Sequence, residues 1–452
     1  MEKSDLIIIG AGPGGYETAL AAAAEGLRVT LFNGGKLGGT CLNEGCIPTK
    51  CLCKNAEVVD TMREGEVFGL DDFTFTLDFN QVIARKESVV DQLRAGIATM
   101  LKSAKVNVVE ANAKFVNAHT VEAEGLQYTA DNIIIATGSE SRSLPIEGHD
   151  LECVKDSTAM LNLEYIPESL TIIGGGVIGL EFASIFASFG SKVTVIEFMK
   201  QILPPFDSDI AKRLKQSLSK RGIKIITSAA AKKIEQNENY EVVVTYECKG
   251  KEESVVSSDL LMAVGRAPRV DNLNLEATGV EYSKRGIPVN ENMQTNVEHI
   301  YAIGDVNARM MLAHVATFQG YRALHSIQKK SDDIRFDIVP SAVFTHPECG
   351  MVGKTEEQCK ADGIEILVGQ SFFRANGKAL TMAAPDGLCK LIFNKADNKL
   401  IGAHIMGVEA ADLAQQCADM MNRDTTLDEM KNIIFSHPSV SEVIMAAIHN
   451  VK

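Results

Sequence analysis

The chain has 452 residues, 45% hydrophobic and 23% charged, the balance of an ordinary globular protein with room for about three domains. Its formal net charge of −14 disfavours a general nucleic-acid binder, and no apolar run reaches the roughly 20 residues that span a bilayer. Ten cysteines at irregular spacing suit buried thiols better than a disulfide framework, and only Cys51-Leu-Cys53 approaches half of a zinc site, so no metal is expected.

The N-terminus, MEKSDLIIIG, enters a strand within about five residues. That leaves no room for a targeting peptide and makes the cytoplasm the expected compartment. From there DLIIIGAGPGGYETALAAAAEGLRVTLFN reads as an apolar strand, a glycine turn, a helix rich in alanine and a second apolar strand. The turn carries Gly10-x-Gly12-x-x-Gly15: one glycine makes the tight bend, the second admits a pyrophosphate to the backbone, the third packs helix on strand. A phosphate there meets the positive end of the helix. The residue closing the second strand, where an acid would hold the adenosine ribose, is Asn33, which can hydrogen-bond but carries no charge.

GGTCLNEGCIPTK follows, with Cys41 and Cys46 five residues apart. On a regular helix that separation is a rise of about 7.5 Å and a rotation of about 140°, so the side chains would not meet. A disulfide needs the Cα atoms within about 7 Å, hence a distorted turn, which Gly45 and Pro48 can supply. Packing pair, metal clip and reactive disulfide all remain open at this point.

The first unit recurs at SLTIIGGGVIGLEFASIFASFGSKVTVIE, starting at Ser169, with Gly174-x-Gly176-x-x-Gly179 as its turn. Two such units imply two dinucleotides, or one dinucleotide and a degenerate copy. Here the strand-end residue is Glu197, a carboxylate that accepts from a ribose 2′-hydroxyl and repels a 2′-phosphate, so NAD is preferred over NADP. Three further strands end in glycine with a small polar or charged neighbour: Thr137-Gly138-Ser139, Val264-Gly265-Arg266 and Gly304-Asp305. Such ends lie at the carboxyl edge of a parallel sheet, where ligands bind. After about residue 336 runs such as LCKLIFN and KLIGAHIMG, followed by two helical segments, read as a separate α+β domain without a dinucleotide turn.

Taken in order, GAGPGG, GGTCLNEGCIPTK, ATGS, GGGVIGLEF, AVGRAPR, IYAIGDV with MLAH, FTHPE and SHPSVSE resemble the pyridine nucleotide-disulfide oxidoreductases, and within them the dihydrolipoamide dehydrogenases. The resemblance implies an α/β fold of two Rossmann-like dinucleotide-binding domains plus a C-terminal α+β dimerisation domain. The implied layout is residues 1–142 and 267–336 for FAD, 143–266 for NAD and 337–452 for the dimer interface. It makes Cys41 and Cys46 a redox disulfide against the flavin. FAD would be held by Gly10, Gly12, Gly14, Gly15, Asn33, Thr40, Lys50, Ala113, Thr137, Gly138, Ser139, Asp305 and Ala313. NAD would be held by Gly174, Gly176, Val177, Gly179, Glu181, Glu197, Ala231 and Gly265. The family usually carries an acid where Asn33 stands.

Thiol exchange also needs a base, because a thiol of pKa near 8.5 is only a few per cent ionised at neutral pH. SHPSVSE supplies His437 with Glu442 five residues on, an imidazole and a carboxylate to orient it. The resemblance places this histidine in the partner subunit's active site and so implies a homodimer. A second histidine common in the family, two residues earlier, is Phe435 here. The implied reaction is oxidation of protein-bound dihydrolipoyl groups with reduction of NAD, the lipoyl group being carried on another chain of a 2-oxo acid dehydrogenase or glycine cleavage complex. The alternative is an NAD(P)H-dependent reductase of glutathione or a related thiol disulfide; Glu197 speaks against its NADPH-using forms.

Overall fold

The structure is a computed structural model that describes residues 2–72 and 74–452. It divides into two compact units, Met1–Cys51 with Gln81–Arg142 and Gly265–Ile334, and Leu52–Asn80 with Ser143–Val264 and Arg335–Lys452. Among the described residues no helix is long and apolar enough to cross a membrane. In chain order the α-helices and strands up to Ile135 are β1 (Glu2–Ile9), α1 (Pro13–Ala24), β2 (Val29–Phe32), α2 (Gly39–Glu44), α3 (Cys46–Arg63), α4 (Phe79–Ser103), β3 (Asn107–Val109), β4 (Lys114–Asn117), β5 (Thr120–Ala123) and β6 (Leu126–Ile135).

The first unit is built on a seven-stranded sheet in the order β3-β2-β1-β6-β5-β4, with the strand Ile300–Ala302 also pairing with β6. The β3, β2, β1 and β6 pairings are parallel, and β6-β5-β4 continue antiparallel. A parallel strand covered on both faces reads as an unbroken apolar run, and β1 does: Leu6, Ile7 and Ile8 have no exposed surface. Each such side chain contributes about 1.5–3 kcal/mol by burial. At the end of β1 the chain must bend sharply against β6. Gly10 has φ +114°, and a Cβ on it would lie 2.2 Å from the Ala136 carbonyl oxygen.

The second unit holds the repeat. A parallel five-stranded sheet contains Ser169–Ile173, Lys192–Glu197 and Asp259–Met262, with a three-stranded antiparallel sheet formed from residues between Ala229 and Ser257. Gly174 reproduces Gly10, with φ +115° and the Ala263 carbonyl 2.2 Å from an added Cβ. The region after Arg335 forms an antiparallel five-stranded sheet, followed by three helices, Ala410–Asn422, Leu427–Met430 and Glu442–His449, where the sequence suggests two. The middle one is a single turn closed by a capping box of Thr426 and Glu429, too short to leave a periodic trace.

LCKLIFN alternates as expected, but both of its faces are buried. Cys389, Leu391 and Phe393 pack with Leu413, Cys417 and Ile444 from the helices. On the other face Lys390 is buried and reaches Asp207 at 2.9 and 3.0 Å, Asp209 at 2.8 Å and Glu356 at 2.7 Å. Burial alone would lower the Lys390 pKa, yet the bonds to Asp209, Glu356 and Asp207 outweigh it and leave the ammonium raised and charged. Removing one member strands the fully buried Asp207 carboxylate. Lys390→Met should cost about 3–5 kcal/mol, read from urea unfolding, with part recovered in Lys390→Met/Asp207→Asn. An unchanged midpoint would show that the cluster is not structural.

Candidate redox and dinucleotide sites

The two cysteines flank a helix break. α2 ends at Glu44, Gly45 leaves the helical path at φ −146° and ψ −110°, and α3 starts at Cys46 itself. The break brings the Cα atoms of Cys41 and Cys46 to 4.7 Å, and the two sulfurs form a disulfide. The other eight cysteines are not in disulfides, and five of them are buried. Side chains pin both helix ends: Thr49 Oγ1 donates to the Gly45 carbonyl at 2.6 Å, and Asn43 Nδ2 donates to Leu37 and Gly39 carbonyls at 2.9 and 2.8 Å. Arg94 Nε in turn holds Asn43 Oδ1 at 2.9 Å. Thr40 precedes the first cysteine, and Lys50 lies one turn beyond the second.

This segment rests on the first glycine turn. The Gly38 amide donates to the Ala11 carbonyl at 2.9 Å, and a Cβ on Gly39 would lie 2.7 Å from the Gly12 Cα. Two backbones thus approach with no side chain between them. Gly12 is the N-cap of α1 and supplies no side-chain cap, so the helix's leading amides are left for a ligand. Gly14 lies against Ala316 of the helix Ala313–Ile327, an added Cβ being 3.0 Å from the Ala316 carbonyl, and Gly15 would place a Cβ 1.8 Å from Gly10 O. Ala313 is the first residue of that helix, which also lacks a side-chain cap. The residues present suit a dinucleotide here: an open amide cradle with no side chain in it.

Ser139 Oγ donates to Asp305 Oδ2 at 2.5 Å and accepts from Arg266 Nε at 2.7 Å, while Arg266 Nη2 holds the Ser139 carbonyl at 2.7 Å. Thr137 Oγ1 donates to the Arg269 carbonyl at 2.7 Å, and Gly138 between them has φ +73°. Gln319 Oε1 accepts from the Gly304 amide at 2.7 Å and from Asn307 Nδ2 at 2.8 Å, fixing the loop that carries Asp305. Arg266 and Gln319 had no assigned role in the sequence; Arg266 was visible only as part of a strand end. Ala113 is buried in the core beside Phe32 and Phe115. Asn33 is buried too, and its amide donates to Glu110 Oε2 at 2.5 Å and to the Gly35 carbonyl at 3.0 Å.

In the repeat, Gly176 is the N-cap of the helix Val177–Phe189 and gives no side-chain cap, with open space where its Cβ would be, and Gly179 would set a Cβ 2.0 Å from Gly174 O. Glu197 is buried at the strand end, its two oxygens accepting the Gly175 amide at 2.5 Å and the Met199 amide at 2.6 Å. Glu181 is buried, and its Oε1 accepts the Phe344 amide at 2.9 Å. Ala231 sits at a register shift in the antiparallel sheet, and Gly265, φ +101°, accepts the Arg142 amide at 3.0 Å.

His437 Nδ1 and Glu442 Oε1 are 3.0 Å apart, and Glu442 Oε2 accepts the Ser439 amide at 3.0 Å. The imidazole is 78% exposed, so Nε2 is free to meet a partner while Glu442 orients the ring. The Ser439 amide and then His437 hold the Glu442 carboxyl below the usual carboxylate range, so it is ionised at neutral pH. Phe435 packs against the C-terminal core.

Residues 4–320 match the family described as pyridine nucleotide-disulphide oxidoreductase, and residues 339–448 match its dimerisation domain. The chain belongs to this family. It is 38% identical over 450 residues to a dihydrolipoyl dehydrogenase of Bacillus subtilis, covering 98% of this chain and 97% of the relative. It is 39% identical over 451 residues to one of Thermus scotoductus, covering 99% and 97%. Among solved structures, the HOCl-induced flavoprotein disulfide reductase RclA of Escherichia coli matches with a TM-score of 0.89 at 31% identity, over 99% of this chain and 100% of that one. This pyridine nucleotide-disulphide oxidoreductase is therefore a flavoprotein disulfide oxidoreductase of the lipoamide dehydrogenase type, in a family that uses FAD and a pyridine nucleotide, and its dimerisation domain supports a homodimer.

Glu348, of the FTHPE motif, adds a pH dependence. Burial pushes its carboxyl up from 4.5 to about 6, against a weak pull from the Ala411 amide. The fold favours the protonated acid, so ionising it costs stability as pH rises from 4.5 through 6. Glu348→Gln should gain about 2 kcal/mol over the parent at pH 8 and nothing at pH 4, measured by chemical unfolding. Equal gains at both pH values would contradict this origin.

Proposed function

We propose that the protein oxidises protein-bound dihydrolipoyl groups and reduces NAD+, acting as a dihydrolipoyl dehydrogenase within a 2-oxo acid dehydrogenase or glycine cleavage complex. The observation that carries the reading is the Cys41–Cys46 disulfide set at a helix break directly against the Gly12 turn. A substrate thiol gives its proton to His437 Nε2 of the partner subunit, whose Nδ1 is held by the partner's Glu442. The resulting thiolate attacks Cys41 Sγ, and Cys46 leaves as a thiolate. The second substrate thiol then attacks its own sulfur in the mixed disulfide. The substrate ring closes as a disulfide and Cys41 leaves reduced, two electrons having passed to the cysteine pair. Bound FAD supplies the two-electron relay from that pair to NAD+.

The chain's residues divide the remaining work. Gly10, Gly12, Gly14 and Gly15 open the backbone to the FAD pyrophosphate, Thr40 and Lys50 flank the cysteines, and Thr137, Gly138, Ser139, Asp305, Ala313 and Ala113 line the rest of that site. Gly174, Gly176, Val177 and Gly179 present the NAD site, with Glu197 selecting against a 2′-phosphate and Glu181, Ala231 and Gly265 around it. A second reading is favoured by the likeness to RclA: reduction of another disulfide at the expense of NAD(P)H. The two differ in the ratio of kcat/KM for dihydrolipoamide with NAD+ to that for glutathione disulfide with NADH or NADPH. Ours requires the first to dominate.

Cys46→Ser should reduce lipoamide turnover to background while FAD stays bound, seen in steady-state rates and the visible spectrum. Retained turnover would remove the cysteine pair from the reaction. Glu197→Ala should raise the KM for NAD+ about tenfold and narrow the preference over NADP+, for loss of a charged hydrogen-bond acceptor.

A further inference from the structure

The two strand-helix-strand units match in register, and the residue that closes the second strand is neutral in one and charged in the other. Ile9 pairs with Phe32 in the first and Ile173 with Ile196 in the second, so Asn33 stands where Glu197 stands. Glu197 turns back to its own glycine turn and takes the Gly175 amide. Asn33 turns sideways instead, and both hydrogens of its amide are taken, by Glu110 Oε2 at 2.5 Å and the Gly35 carbonyl at 3.0 Å. Glu110 directly follows β3, whose Val109 is in register with Phe32, and the Asn33 backbone amide donates to the Val109 carbonyl at 2.8 Å. A carboxylate is therefore present at the same carboxyl edge of the sheet, one strand over.

An open pocket of about 540 Å³ lies there, lined by Asn33, Gly34, Glu110, Asn112 and Glu124, a size that admits a nucleoside. Gly34 lies directly against the Asn112 side chain: a Cβ on it would come within 1.9 Å of Asn112 Oδ1. Glu110 is exposed, and a carboxylate has about four acceptor positions, of which Asn33 occupies one. The vicinal hydroxyls of a ribose need two. Asn33, with both amide hydrogens committed, has only its oxygen left to offer.

We propose that Glu110, held in place by Asn33, is the carboxylate that receives the adenosine ribose hydroxyls of FAD in this chain. The inference rests on the first unit being the FAD site. The acid normally expected at the end of β2 is replaced by an amide that anchors an acid at the end of β3, so ribose recognition keeps its charge and shifts by one strand. Glu110 is on this account a binding residue and Asn33 a positioning residue.

The test is a competition. Purified full-length protein is equilibrated with equal amounts of FAD and an FAD analogue whose adenosine lacks the 2′-hydroxyl, and the bound flavins are quantified by mass spectrometry. The parent should prefer FAD about tenfold, a typical value for one hydrogen bond to a charged group. Glu110→Gln should bring the ratio close to one, and Asn33→Glu added to Glu110→Gln should restore the preference by returning the acid to β2. Because a ratio is read, only folded protein contributes to it. If Glu110→Gln keeps the parent's ratio, or the parent shows no preference, the proposal is overturned while the FAD site stands. A parent that takes up neither flavin overturns the FAD assignment and the proposal together.

Discussion

The helix break at Gly45 is the constraint on which the chemistry depends. A continuous helix would hold Cys41 and Cys46 about 7.5 Å apart along the axis and on different faces. Ending α2 at Glu44 and restarting α3 at Cys46 brings the two Cα atoms to 4.7 Å, and the disulfide follows. The break is held by short local bonds from Thr49 and Asn43, with Arg94 reaching in from α4 to hold Asn43. Its placement matters equally: Gly38 and Gly39 lie on Ala11 and Gly12, so the redox segment packs backbone on backbone against the first dinucleotide turn.

The same economy of side chains runs through both repeats. Gly10 and Gly174 take nearly the same positive φ, and an added methyl would meet a carbonyl at the same distance in each. The close match shows how strictly this turn is set by the strand that crosses beneath it. What differs between the copies is polar chemistry at the strand end, an acid at Glu197 and an amide at Asn33 joined to Glu110. The same backbone geometry with a different polar rim gives the two copies different ligand edges.

Much of this was legible in the sequence because it is local. Unbroken apolar runs mark parallel strands, glycines mark turns where a Cβ does not fit, and the five-residue spacing of His437 and Glu442 already allows a hydrogen bond. Glycine between two cysteines announced a distortion. What the sequence concealed is lateral or distant. Lys390 reads as an ordinary polar position in LCKLIFN, yet its partner Asp207 is 183 residues away. Glu110 follows a strand of three residues, and its meaning appears only when β3 is seen beside β2. Arg266 and Gln319 act by bracing Ser139, Gly304 and Asn307, and no local pattern in the chain marks a brace. Glu348 owes its altered acidity to burial by elements far along the chain, which a motif match does not reveal.

The central claim is that electrons pass from a lipoyl dithiol through Cys41 and Cys46 to NAD+. Its most direct test is an anaerobic titration of the purified protein with dihydrolipoamide, followed by NAD+, monitored across the visible and near-ultraviolet spectrum. The account predicts a flavin spectrum that gains a long-wavelength band from a cysteine thiolate lying against the flavin, absent in Cys46→Ser, and that returns to its starting form as NADH absorbance appears. A flavin spectrum that dihydrolipoamide leaves unchanged, while NADPH or a different thiol reduces it, would contradict the substrate assignment.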